Sequence, residues 1–437
     1  MNELTERIAA EIKNRGVISF AEFMSMALYC PNYGFYEREK DKIGRKGDFY
    51  TSVTVGEVFG ELLAFQFSEW LGEWDSEMIA PTGTRAKRKP KRASRIEGMA
   101  ERPRRLKLIE AGAHNGQLAR DVLVWLGRNR PDLLEKLEYV IIEPSARRLE
   151  WQRKTLREFA GHVRWISDVN ELHHPQGIIF SNELLDSMPV HRVSWSARNR
   201  KWFEWGVVCD HGRFEWARIP AAINETHSES ARNPLTPTAA ASLPRWLRLD
   251  ETWLGQLPGK LLDVLPDGFT TELCPQAEQW WSAAGRILHR GRLMTIDYGL
   301  TLEELLAPER KEGTLRAYRK HRLSSGPLAN PGEQDLTAHV NFTALQKQGE
   351  DAGLKTEIFT PQSRFLTGIL AKMRSRQRTP DNWDSGKVRQ FQTLTNPVHL
   401  GQSFRVLVQS RMECGKPERP SAIHSSSPFN EFDPKPR

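Results

Sequence analysis

The apolar-rich run Leu106–Ile109 is followed by an acid and two glycines: Glu110, Gly112 and Gly116. One residue separates the acid from the first glycine, and three residues separate the two glycines. The run is short enough for a buried strand, and apolar residues from Leu118 onward repeat at helical spacing. A strand, a glycine turn and a helix form the first unit of a doubly wound α/β sheet, where the turn receives a ligand. The candidate binding residues of this turn are Glu110, Gly112, Ala113, His114 and Gly116.

The spacing of this turn bears on which ligand it binds. A dinucleotide-binding turn requires Gly-x-Gly-x-x-Gly, and this chain departs from that pattern at two positions. An acid just before the turn can accept hydrogen bonds from a cationic amine, which a pyrophosphate lacks. S-adenosyl-L-methionine (SAM) carries an ammonium and a sulfonium, so the turn favours SAM over NAD, although NAD stays an alternative.

Two further acids follow predicted strands of the same sheet. Glu143 ends the strand Glu138–Glu143, where an acid reaches the ribose hydroxyls of an adenosine ligand. The alternative for Glu143 is a solvent-facing carboxylate at a strand end. Asp168 follows the third strand, His162–Ile166, where it could meet an adenine edge.

Asn182, Glu183 and Asp186 come directly after the fourth predicted strand, which begins at Gly177. Open α/β sheets place their ligands at the carboxyl ends of strands. Two carboxylates beside an amide could hold a guanidinium group through bidentate hydrogen bonds. A structural alternative is that Asn182 or Asp186 caps a helix.

A polar, glycine-containing stretch, Lys42–Ser52, precedes a predicted amphipathic helix at Glu57–Trp70. Asp48 and Thr51 in this stretch could belong to a lid that closes over a ligand. Thr51 or Ser52 could equally do no more than cap the helix that follows.

Composition excludes several classes of protein. The 437 residues have a formal net charge of +8, but residues 85–107 alone carry eleven Lys and Arg against two Glu, so the rest is nearly neutral. That basic segment contains no aromatic residue to stack on bases, and we expect no specific nucleic-acid partner.

No apolar run has the length of a membrane helix, and the mixed-charge N-terminus resembles no signal peptide. Four widely spaced cysteines predict neither disulfides nor a metal site, and indicate a cytoplasmic protein.

The pattern of elements predicts an α/β protein with several regions. We expect an N-terminal helical or lid segment at 1–75, a basic disordered linker at 76–105, and a disordered tail at 411–437. The ligand-binding domain spans 106–410, with insertions at about 191–270 and 300–345. Within it, residues 191–218 predict a β-meander. Thr270–His289 predicts one continuous helix.

The motifs together resemble those of the MidA-like SAM-dependent methyltransferases, whose mitochondrial members assist respiratory complex I assembly by methylating an arginine of a subunit. The resemblance runs from about Phe20 to about Leu370, and its most specific string is Asn182-Glu-x-x-Asp-x-x-Pro-Val-His191. The other matching motifs are Asp48–Ser52, Phe59–Leu62, Glu110–Leu118, Ile296–Gly299 and Asp335–Phe342. This chain has His114 where the family turn has a third glycine, and Val53-Thr54 where the family has Pro-Glu.

The resemblance implies a Rossmann-like class I methyltransferase fold, SAM as cofactor and a protein substrate methylated on arginine. It implies that Glu110 holds the SAM amino group, that Gly112–Gly116 hold its methionine arm and that Glu143 holds its ribose, with Asp48 and Thr51 closing over the methionine end. Asn182, Glu183 and Asp186 are then the catalytic residues. Two alternatives stay open: a methyltransferase for a small molecule or another side chain, and a non-catalytic assembly protein. A homodimer is a further expectation.

Overall fold

The computed structural model describes residues 2–38, 51–79, 106–219, 249, 252–319, 322–324, 326–376, 383–397 and 400–412. The helices are α1 (Glu3–Arg15), α2 (Phe20–Tyr29), α3 (Ser52–Val55), α4 (Val58–Ile79), α5 (Gln117–Asn129), α6 (Pro131–Lys136), α7 (Ala146–Thr155), α8 (Gly259–Val264), α9 (Pro275–Ile287), α10 (Leu302–Leu305), α11 (Phe342–Asp351), α12 (Gln362–Ser375) and α13 (Ser385–Thr395). The strands are β1 (Ile18–Ser19), β2 (Leu106–Ala111), β3 (Leu137–Ile142), β4 (Val163–Ile166), β5 (Gln176–Asn182), β6 (His191–Ser196), β7 (Lys201–Asp210), β8 (Arg213–Arg218), β9 (Thr270–Leu273), β10 (Arg290–Leu300), β11 (Arg316–Arg319), β12 (Arg322–Leu323), β13 (Asp335–Thr337), β14 (Val340–Asn341), β15 (Lys355–Pro361) and β16 (Phe404–Arg411).

An eight-stranded sheet forms the centre of the fold, in the order β15-β16-β10-β5-β2-β3-β4, with β14 pairing to the end of β10. Strands β4, β3, β2, β5 and β10 are parallel, whereas β16 and β15 are antiparallel to their neighbours. The chain builds outward from β2 to β4 and then continues at β5 on the other side of β2. This reversal is the switch point at which doubly wound sheets bind ligands.

Helices cover both faces of this sheet. Parallel strands are apolar on both sides, so both faces must be shielded from water. One face packs against α4, α5, α12 and α13 through a large apolar core that includes Phe65, Phe67, Trp74 and Phe180. The other face packs against α9 and α11 through a second core around Trp281 and Phe342. Class I methyltransferases have this three-layer α/β/α arrangement, so the predicted fold class is confirmed.

Two smaller sheets lie beside the central one. The first has the order β1-β7-β6-β9, with β8 on β7, and contains the predicted meander. Here the N-terminal segment joins the inserted region, because Ile18 pairs with Val207 in antiparallel register. Ser19 caps α2 by a reciprocal capping box with Glu22. The second small sheet has the order β12-β11-β13.

The structure also corrects some predicted elements. Thr270–His289 is not one helix, because Thr270–Leu273 form β9 against β6 and the helix begins only at Pro275. A proline at the first helical position sets that boundary. Helix α4 continues to Ile79, past the expected end of the N-terminal segment at 75. Most of the expected basic linker (80–105) and of the expected tail (413–437) lies outside the described residues.

Candidate functional site

A cavity of about 1720 Å³ opens at the carboxyl ends of the parallel strands, beside the switch point between β2 and β5. Ten of the predicted site residues line it: Thr51, Glu110, Gly112, Ala113, His114, Glu143, Asp168, Asn182, Glu183 and Asp186. Gly116 is not part of this lining, and Asp48 lies outside the described residues.

The turn after β2 has a left-handed backbone at three positions: Gly112 (φ 76°), His114 (φ 45°) and Gly116 (φ 83°). The left-handed backbone at Gly112 favours glycine, and a Cβ atom there would also come within 2.8 Å of the Leu184 side chain. His114 adopts the left-handed conformation although it is not a glycine. Replacing the third glycine of the turn therefore leaves the turn formed, at a cost of order 1 kcal/mol in backbone strain.

Glu110 is buried at the end of β2 and accepts a hydrogen bond of 2.5 Å from the Tyr139 hydroxyl. Burial raises the pKa of Glu110 to about 7, and the nearby Asp121 carboxylate adds to this rise. A cationic group bound against Glu110 would favour its charged form. The position suits a ligand ammonium.

Glu143 is buried rather than solvent-facing, and its carboxylate is already hydrogen-bonded. One oxygen accepts from the guanidinium of Arg148 at 2.9 Å and the other from the Gln152 amide at 2.8 Å. Arg148 also pairs with Glu37 of the N-terminal segment at 2.8 Å. The ion pairs therefore fix the orientation of Glu143 at the cavity wall and attach the N-terminal segment to it.

Thr51 and Asp168 both act as local caps at the cavity edge. Thr51 caps the short helix α3 by a capping box with Thr54, whereas the predicted amphipathic helix begins separately at Val58 as α4. The lid role stays a prediction. The exposed Asp168 accepts hydrogen bonds from the backbone and side-chain amides of Asn170.

Asn182 and Glu183 sit together where β5 ends. The Asn182 amide donates to Glu183 Oε1 at 3.1 Å, and the backbone N–H of Ser52 donates to the same oxygen at 2.9 Å. Glu183 has a left-handed backbone, with φ 51°. Burial raises its pKa to about 8. No helix begins at Asn182 or Asp186, so the capping alternative for these residues is wrong.

Three buried carboxylates lie near the half-buried Glu183: Asp186, Asp297 and Asp335. Asp297 ends the core of β10 and accepts from the backbone N–H groups of Leu184 and Leu185 at 3.1 and 2.8 Å, which shapes the loop carrying Asp186. Burial, with the charges of Asp297, Asp335 and Glu183, raises the pKa of Asp186 well above its ordinary value. We call Glu183, Asp186, Asp297 and Asp335 the carboxylate cluster.

Glu183, Asp186 and Asp335 of the carboxylate cluster line the cavity, and Asp297 is buried outside this lining. Asp335 accepts a hydrogen bond of 2.7 Å from the Tyr36 hydroxyl, and burial raises the pKa of that hydroxyl. Desolvated carboxylates that repel one another are relieved by protonation or by binding a cation. Among the described residues, no group of three or more acid, His or Cys side chains is arranged to hold a metal ion. An organic cation with several N–H donors fits this geometry.

The prediction from sequence missed Asp297, Asp335, Glu37 and Arg148 as site residues. A signal existed for Asp297, because it directly follows an apolar-rich run, Leu293–Ile296, as Glu110 follows Leu106–Ile109. A signal existed for Asp335 too, because it opens the motif Asp335–Phe342 and begins β13. No local pattern indicates that Glu37 reaches the site. Within the described part of the chain, no helix is both long and apolar enough to cross a membrane.

Comparison with known proteins agrees with this site. Residues 93–360 match the model of a family of S-adenosyl-L-methionine-dependent methyltransferases. The Drosophila melanogaster homolog of mitochondrial protein arginine methyltransferase NDUFAF7 is 28% identical over 92% of this chain and 84% of its own length. The Homo sapiens protein arginine methyltransferase NDUFAF7 is 25% identical over 96% of this chain and 86% of its own. Both relatives are named as mitochondrial proteins, so the predicted cytoplasmic location is wrong.

A solved structure extends the likeness to three dimensions. A Burkholderia thailandensis protein with S-adenosyl-homocysteine bound superimposes with a TM-score of 0.69 and is 27% identical. The match covers 93% of this chain and 92% of that one. The neighbour therefore shares almost the whole architecture, including the regions outside the central sheet.

Proposed function

This chain belongs to the S-adenosyl-L-methionine-dependent methyltransferases, and we propose that it transfers the methyl group to a guanidinium nitrogen of an arginine side chain in a protein. The carboxylate cluster carries the proposal, because a guanidinium is a planar cation whose N–H donors match several carboxylates at once. The names of the NDUFAF7 relatives support the same substrate class.

The cavity lining fits the cofactor. Glu110 offers a buried carboxylate for an ammonium, and Gly112 lines the cavity with backbone atoms alone. Asn182 Oδ1 is a buried acceptor without a hydrogen-bond partner among the described residues. We assign Glu143 and Asp168, which line the cavity after the next two strands, to the ribose and the adenine. When bound, SAM supplies an electrophilic methyl group on a sulfonium.

The chain's own residues act mainly by positioning and electrostatics. Asn182 and the Ser52 N–H orient the Glu183 carboxylate, and Asp297 holds the loop that carries Asp186. Hydrogen bonds from the distal guanidinium nitrogens to these carboxylates localise the positive charge away from the attacking nitrogen. The attacking nitrogen gains a carbon and loses one proton, and the carboxylates with raised pKa are suited to accept that proton.

The test is transfer from SAM labelled in its methyl group to peptides with one central arginine, lysine or citrulline. Amino-acid analysis should find the label in methylarginine alone. Asp186→Asn should lower the rate by about 100-fold or more while SAM affinity, measured by calorimetry, stays within about twofold. The exposed Asp351→Asn serves as the matched control. Label in lysine, or in no peptide and only in small molecules, would refute arginine methylation.

A further inference from the structure

The same cavity has a second, basic lining opposite in charge to the carboxylate cluster. Its residues are Arg310, Arg316, His339 and Arg405. Arg310 ends a short helical turn, Arg316 begins β11, His339 follows β13 and Arg405 lies on β16. Three guanidinium groups from separate elements therefore converge on one part of the cavity, which we call the basic lining.

The basic lining contains more cationic groups than carboxylates that pair with them. Glu304 pairs with Arg405 at 2.8 Å, and its backbone carbonyl accepts from Arg310 at 3.0 Å. Arg316 donates to the carbonyl of Leu315 at 2.8 Å. Over the described ranges, neither Arg310 nor Arg316 forms an ion pair within 4.0 Å. A guanidinium has five N–H donors, so each retains donors for a ligand.

Two buried polar atoms of the basic lining have no partner among the described residues. They are Nε of Arg405 and Nδ1 of His339. Burial lowers the pKa of His339 to about 4, and the charges of Arg310 and Arg316 lower it further, so its ring is neutral at pH 7. Buried polar atoms in native proteins are normally satisfied, so these two atoms, on residues that line the cavity, remain available to a ligand.

The basic lining adjoins the carboxylate cluster. Arg405 on β16 is the direct cross-strand partner of Asp297 on β10, a pairing with Cα atoms about 5 Å apart. Ala338, next to His339, donates its backbone N–H to the carbonyl of Asp186 at 2.9 Å. A chain bound with its arginine in the carboxylate cluster would therefore carry its neighbouring residues past the basic lining.

We propose that the basic lining binds the carboxylate of an acidic residue located within about three positions of the target arginine, since an extended chain advances about 3.5 Å per residue. This inference rests on the proposed arginine methylation and specifies its substrates: proteins in which the arginine has an acidic neighbour. A basic neighbour is disfavoured by the same charges. Arg310 and Arg316 then determine specificity without touching the reacting nitrogen.

The test uses peptides of eleven residues with one central arginine and Glu, Gln or Lys at positions up to three residues from it. Binding is measured by fluorescence anisotropy in the presence of S-adenosyl-homocysteine, and kcat/KM by label transfer. We expect the best-placed Glu to improve both about tenfold over Gln, with Lys weakest. Arg316→Glu should invert the order and favour Lys. The control Arg319→Ala, on the same strand but paired with Glu333 on the exposed surface, should change nothing.

The outcomes separate this inference from the proposed function. Arginine methylation with equal kcat/KM for the Glu and Gln peptides would overturn the acidic subsite alone. Preferred binding of the Glu peptide without methylation would support the subsite and refute the activity. If Arg316→Ala weakens SAM binding and leaves peptide binding unchanged, the basic lining binds the cofactor carboxylate and the inference is wrong.

Discussion

The backbone N–H of Ser52 donates a 2.9 Å hydrogen bond to the carboxylate of Glu183, across 131 positions of the chain. Ser52 is the first residue of α3, where a helix leaves its N–H groups without partners inside the helix. The start of α3 thus fixes the orientation of a carboxylate that we assign to guanidinium binding.

A proline at position 52 would remove the N–H that donates this hydrogen bond to Glu183. Proline is tolerated at the first helical position, and Thr51 already has the extended backbone (φ −105°, ψ 162°) that a residue before proline requires. Ser52→Pro should lower kcat about tenfold or more, because a hydrogen bond to a charged group contributes about 1.5–3 kcal/mol. Ser52→Ala, which loses only the hydroxyl contact with Gln362, is the matched control. Equal kcat values for the two variants would show that the N–H does not position Glu183.

The affinity for SAM should rise with pH. Burial holds the pKa of free Glu110 at about 7, and binding an ammonium requires the charged carboxylate. Below pH 7 the Glu110 carboxyl must lose a proton when SAM binds. The affinity for SAM should therefore fall by up to tenfold for each pH unit below 7. Glu110→Gln, which can still accept from Tyr139, should bind more weakly and lose this dependence between pH 5.5 and 7. Calorimetric titrations of wild type, Glu110→Gln and the exposed control Glu135→Gln check this. A pH-independent wild-type affinity would contradict the assignment.

The carboxylate cluster should also make the ligand-free protein less stable at high pH. The folded-state pKa of Glu183 is raised from 4.5 to about 8, so the folded protein holds this proton more tightly than the unfolded chain does. The free energy of unfolding should therefore decrease as pH rises from about 4.5 to about 8. Glu183→Gln needs no proton, and should be more stable than wild type at pH 8 by on the order of 1–3 kcal/mol, with little difference at pH 5. Urea unfolding at both pH values measures this, and an equal difference at the two would refute it.

Much of the site could be predicted from sequence because its residues follow strand ends. Glu110, Glu143 and Asn182 each terminate an apolar run, and parallel strands bring their carboxyl ends to one edge. The local sequence pattern is therefore enough to predict that side chains following three different strands lie around one cavity. Asp297 follows the same pattern, since it comes directly after an apolar-rich run.

The remaining parts depend on contacts between segments far apart in the chain. Glu37 reaches Arg148 across 111 positions, and Tyr36 reaches Asp335 across 299. Neither pair has a local pattern that reveals its partner. The segment Thr270–His289 shows the opposite error, since helical spacing predicted one helix where pairing with β6 makes the first four residues a strand. Here tertiary pairing overrides local preference.

In the proposed mechanism, the carboxylate cluster binds the guanidinium as a cation. Calorimetry tests it directly by titrating the protein and S-adenosyl-homocysteine with a single-arginine peptide and with its neutral citrulline analogue. Measuring each in two buffers of different ionisation enthalpy counts the protons released. We expect the arginine peptide to bind at least about tenfold more tightly near pH 7 and to release protons from the carboxylate cluster. Equal affinity for arginine and citrulline, with no proton release, would contradict it.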